Sequence, residues 1–157
     1  MKTLKLTSVL LLFIFIIVTS CSDDFVDVDS QDQNSEDYFN DEGEYQDALI
    51  GAYDLLQSSY INVMLGEIAS DNTLSGGESA TDVLGIQEID EMIHTPVNQQ
   101  LRDIWSWMYA GVNRANYIME FQDKTDFPGK NEVIGQVRFL RAYYYFELVK
   151  WFGDVPF

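Results

Sequence analysis

The sequence predicts a mostly all-α fold, built of helical hairpins and interrupted by one loop-rich insertion. Two observations carry the prediction. Apolar residues recur every three or four positions over about 41–60, 98–121 and 131–152, the spacing that lines one face of an α-helix. Between the first and second of these segments, residues 61–97 hold Gly66, Gly76, Gly77 and Gly85 among Ser, Thr and Asp, which breaks any long period.

Ahead of the helices lies a segment that does not belong to the fold. Lys2 and Lys5 precede an apolar run from Val9 to Val18, the layout of a signal peptide over residues 1–20. Ten apolar residues at ~1.5 Å each span about half of a ~30 Å hydrocarbon layer, too little for a permanent membrane helix. The run ends in Val18-Thr19-Ser20-Cys21, which resembles the bacterial lipobox. Cys21 is the sole cysteine, so no disulfide can form within the chain and lipidation gives the thiol a role. Two or three acyl chains at ~0.8 kcal/mol per buried methylene hold a protein on a membrane almost permanently. Residues 21–40, rich in Asp, Ser, Gln and Asn, read as an acidic tether to the folded body.

The first helix begins at Asn40 or Asp41, with Glu44 placed for a capping box. Its stripe is Tyr45, Ala48, Leu49, Ala52, Tyr53, Leu56 and Tyr60. The second runs from about Asn98 to Phe121, with Leu101, Ile104, Trp105, Met108, Val112, Ala115 and Met119 on one face. The third follows the Pro128-Gly129 break and runs from about Asn131 to Phe152, aligning Ile134, Val137, Arg141, Tyr144, Leu148 and Trp151. Helices two and three form an antiparallel hairpin of the kind stacked in tetratricopeptide arrays; the strict repeat consensus is absent, so the likeness is architectural. Seven aromatics crowd the last fifteen residues, more than three helices and a polar loop cover. Residues 41–157 therefore read as the truncated N-terminal part of a longer helical domain.

Charge excludes some partners. Without residues 1–20 the chain holds seven Lys and Arg against 26 Asp and Glu, a net charge of −19. Such a surface repels nucleic acid and anionic headgroups. Nineteen of the acids precede Arg102, whereas no Lys or Arg occurs between Lys5 and Arg102.

No catalytic motif is present: the chain has no G-x-S-x-G, P-loop or H-E-x-x-H pattern, and its one histidine, His94, cannot build a multi-histidine metal site. The stretch Asp71-Asn72-Thr73-Leu74-Ser75-Gly76 followed by Asp82 mimics a calcium loop. Thr73 and Ser75 stand where Asp or Asn is usual, however, and the closing acid is Asp, so neither metal nor cofactor is assigned. Helical spacing places Trp105, Tyr109, Tyr144 and Trp151 in the core. Arg138 and Arg141, three apart on a helix, read as members of structural ion pairs.

The segment Arg138-Phe139-Leu140-Arg141-Ala142-Tyr143-Tyr144-Tyr145-Phe146-Glu147-Leu148-Val149, leading to Phe152-Gly153-Asp154-Val155-Pro156, resembles the signature of the SusD/RagB family. The stretches Trp105 to Asn116 and Glu67-Ile68-Ala69-Ser70-Asp71 are similar to two further family motifs, and Ser22-Asp23-Asp24 resembles the acidic export signal of Bacteroidetes surface lipoproteins. The resemblance implies the N-terminal part of a SusD-like fold and no enzymatic activity. It implies an outer-membrane lipoprotein, exposed at the cell surface, that captures oligosaccharides for a SusC-like, TonB-dependent barrel as part of polysaccharide utilisation. It also places ligand contacts in the loop after Asp71, where Asn72, Thr73, Ser75, Glu78 and Asp82 can hydrogen-bond a ligand. No Phe, Tyr or Trp lies between Tyr60 and Trp105, so the aromatic surface of the starch binders is missing from that loop. Alternatives are peptide capture, a lipid-anchored helical scaffold for protein partners, and a lipid-anchored hydrolase with its catalytic domain beyond Phe157.

Overall fold

A computed structural model describes residues 37–157 apart from Asp71 and Ala80. The signal peptide, Cys21 and the tether up to Glu36 lie outside the described residues. Five α-helices follow one another: α1 (Glu42–Asp54), α2 (Ser59–Ile68), α3 (Leu84–Asp90), α4 (Gln99–Glu120) and α5 (Lys130–Phe152), with a 3-10 turn, Leu55–Ser58, between α1 and α2. No strand occurs among the described residues, as the apolar spacing predicts.

The antiparallel pair α4 and α5 is the most closely packed and forms the core. Trp105 meets Phe152 at one end of the pair, Tyr109 meets Tyr145, and Met119 meets Arg141 toward the other. Ile104, Met108, Val112, Ala115 and Ile118 of α4 bury against Val133, Ile134, Val137, Leu140, Tyr144 and Leu148 of α5. The left-handed turn that starts α5 falls on Gly129 (φ 84°), where glycine carries no Cβ penalty.

α1 crosses this pair. Its N-cap Asp41 accepts from the Glu44 amide at 3.0 Å, and the Glu44 carboxylate reaches back to the amide of Asn40, one residue before the cap, at 2.6 Å. The capping box thus forms in a slightly wider version. Tyr45, Leu49 and Ala52 are buried; the Tyr45 hydroxyl donates to the Phe121 carbonyl and Arg114 to that of Gly51.

Three boundaries differ from those expected. Phe39 is not in a tether: it is wholly buried against Tyr45, Tyr117 and Phe121, while Thr125 Oγ1 donates to its carbonyl at 2.7 Å. One buried ring without a period leaves no pattern to read. The first helix does not run on to Tyr60. The Ser58 hydroxyl donates to the Leu55 carbonyl at 2.6 Å, competing with the backbone ladder, and the tighter turn shifts the register. Tyr60 consequently faces solvent at 73% exposure. Residues 61–68 are helical rather than loop, because Leu65 and Ile68 point inward and Gly66 falls on the solvent side.

Candidate functional site

Four segments enclose an open cleft of about 820 Å³. The first turns of α4 contribute Leu101, Arg102 and Trp105, and the end of α5 contributes Trp151 and Phe152. Ala69 enters from the end of α2; Ile89, Met92, His94, Thr95 and Pro96 come from α3 and the connection after it. The volume falls in the usual range for small-molecule sites.

The walls are held by a small number of polar contacts. Asn98, buried at the start of α4, caps that helix by accepting from the Leu101 amide at 3.2 Å. Its amide nitrogen donates to the Gly85 carbonyl at 2.8 Å and to the Glu88 carboxylate at 2.9 Å, so one side chain ties α3 to α4. The chain then leaves α3 through a Schellman turn, in which the Ile93 amide donates to the Glu88 carbonyl and the Met92 amide to that of Ile89. The left-handed position of this turn, usually glycine, is Met92 at φ 55°, a strained conformation beside the cleft.

Trp105 tilts against Tyr109 at 4.8 Å between ring centroids and meets the ring of Phe152 edge-on at 5.1 Å. With 38% of its surface exposed it is not a core residue. Of the four aromatics expected in the core, Tyr144 is fully buried, while Tyr109 and Trp151 are half-buried. The outliers sit toward the end of α4 and α5 that borders the cleft, where Trp105, Trp151 and Phe152 line open space. A flat apolar face beside polar donors such as Arg102 suits stacking of a ring that also carries hydroxyls.

The five residues expected to bind ligand lie in the loop ahead of α3 and do not line the cleft. The Asp90 carboxylate, next to the cleft residue Ile89, accepts from the Ser75 amide at 2.9 Å and anchors the loop there. The Asp82 carboxylate accepts from the Glu78 amide at 3.0 Å and closes a local turn, so these two residues come together. Asn72 and Thr73 are exposed, the Asn72 amide donating to Ser70 Oγ at 3.3 Å. The sequence pointed to this loop and not to the cleft, whose aromatic walls come from helix ends dozens of residues away. Arg138 and Arg141 also differ from expectation: neither has a carboxylate within 4.0 Å among the described residues. Arg138 reaches Gln122 Oε1 at 3.4 Å; Arg141 reaches the sulfur of Met119 at 3.5 Å and lies 5.2 Å from the centroid of the Phe157 ring.

These features define an all-α protein of the helical-hairpin class. The chain belongs to the SusD-like family described as "Starch-binding associating with outer membrane", which it matches over residues 24–157. It is also similar to SusD-like protein P25 of Formosa agariphila, with 24% identity across 94% of this chain and 31% of the relative. The chain therefore spans about a third of that relative's length. No solved structure matches it.

Proposed function

We propose that the chain is part of a lipid-anchored, cell-surface protein of the outer membrane that captures oligosaccharides and hands them, chemically unchanged, to a SusC-like TonB-dependent barrel. The observation that carries this reading is membership of the SusD-like family along nearly the whole chain. SusD-like proteins are non-catalytic binding proteins. The lipobox ending at Cys21 supplies the anchor and the acidic segment behind it the tether. Trp105 and Trp151 offer the stacking faces, Arg102 a donor, and Asn72, Thr73, Ser75, Glu78 and Asp82 the polar contacts at the neighbouring loop.

The test is purification from outer membranes in mild detergent. A large β-barrel should co-purify, and the mature N-terminus should be an acylated Cys21. Recovery of the protein without a barrel would contradict the transport role. A non-acylated N-terminus would contradict the anchor.

A further inference from the structure

The aromatic cleft differs in charge from the chain around it. Nineteen of the 26 acids precede Arg102, and no Lys or Arg occurs between Lys5 and Arg102. Yet no Asp or Glu lines the cleft, while Arg102 and the chain's one histidine, His94, do. The acids next in sequence to lining residues are placed elsewhere. Asp90 accepts from the Ser75 amide at 2.9 Å and Asp103 from Gln99 Nε2 at 2.6 Å, while Glu91 is exposed outside the lining.

Arg102 has no carboxylate within 4.0 Å among the described residues, whereas Arg114, Lys130 and Lys150 each have one. It donates to the neutral Gln99 Oε1 at 2.5 Å, and a guanidinium has five N–H groups to give. Arg102 also stands one turn before Trp105 on α4, so the two side chains leave the same face with their Cβ atoms ~5–6 Å apart. A sugar ring stacked on Trp105 thus brings its substituents within reach of the guanidinium. The polar atoms of the lining side chains are unbalanced as well. Arg102, Trp105 and Trp151 can only donate, His94 and Thr95 can donate or accept, and none only accepts. Such a wall complements a group that only accepts.

We propose that the cleft selects a saccharide bearing an anionic group, a carboxylate or a sulfate, which pairs with Arg102 while the ring stacks on Trp105. The proposal rests on saccharide capture in this cleft. The chain's net charge opposes approach of such a ligand from a distance, but that field is screened over ~8 Å at physiological ionic strength, and the contact pair forms inside that range.

Affinity electrophoresis of the protein purified from outer membranes, through matched polymer gels, tests it. Polygalacturonate against its methyl ester varies the carboxylate; carrageenan against its desulfated form varies the sulfate. The acidic member of at least one pair should bind roughly fivefold more tightly, the upper scale of an exposed ion pair, and the pair that discriminates identifies the group. Arg102→Gln should lower that affinity to the neutral polymer's. Arg138→Gln, the same charge change outside the cleft, should leave the preference intact. Equal affinity within both pairs, or a preference that survives Arg102→Gln, would overturn the proposal. Where equal affinity is accompanied by loss of retention in a Trp105→Ala, Trp151→Ala variant, saccharide capture itself still stands. Retention of the wild type by none of the four polymers would count against both.

Discussion

The ring of Tyr144 lies so close to Gly111 that a β-carbon at Gly111 would sit 2.5 Å from two of its carbons. Glycine lets α4 and α5 approach at this point, and the ring, fully buried, fills the space that a side chain would otherwise take. Gly111→Ala gains up to about 1 kcal/mol of helix propensity but overpacks the seam at a cost of roughly 1–3 kcal/mol. The clash should win, and urea unfolding should show a lower midpoint. An unchanged midpoint would mean that the seam yields freely.

The same residue gives the fold a pH limit. Its hydroxyl donates to the Ala52 carbonyl, and burial, helped by Tyr143 and opposed by Arg114, pushes its pKa from 10.0 to about 12. The unfolded chain releases this proton near pH 10 and the folded chain only near 12. The contribution to stability is therefore whole below pH 10 and is lost as pH rises toward 12. Tyr144→Phe should cost about 1 kcal/mol at neutral pH and flatten the decline between pH 10 and 12. Melting temperatures measured across that range check both effects.

α2 rests on a buried polar pair. Asn62 Nδ2 donates to Glu147 Oε2 at 2.7 Å, and Lys150 holds the other carboxylate oxygen at 2.7 Å. Asn62→Ala leaves Glu147 buried with one partner fewer, a loss of roughly 1.5–3 kcal/mol. Hydrogen exchange should then speed up in Ser59–Ile68 more than in α4. Uniform loss of protection would instead mark global destabilisation.

Cys21→Ala should remove the anchor. The protein should then leave the membrane fraction, and the acyl chains should be absent from its N-terminal peptide by mass spectrometry. Membrane retention of the variant without detergent would point to attachment by other means.

Long helices with a sustained apolar period were legible: α4 lies within a residue of the expected Asn98 to Phe121, and α5 starts one residue early. Both runs are long enough for their period to outweigh local composition. Where the fold depends on single contacts, sequence was silent. Phe39 is held by rings from α1 and α4, Asn98 joins two helices through one amide, and Met92 takes a conformation normally left to glycine. The cleft was illegible for the same reason, because Ala69, Arg102 and Trp151 meet only once the chain has folded. Trp105 falls at the edge of the α4 stripe, one residue from Ile104, so a small rotation decides between core and surface.

Retention on polysaccharide gels shows whether the aromatic cleft captures an intact saccharide. Wild-type protein should be retarded on at least one gel of a panel and release no oligosaccharides from it. Replacing Trp105 and Trp151 together with Ala should remove that retardation, since sugar stacking on each ring is lost while the buried core is left in place. Equal retardation of the double variant, or release of oligosaccharide products by wild type, would contradict non-catalytic capture in the cleft.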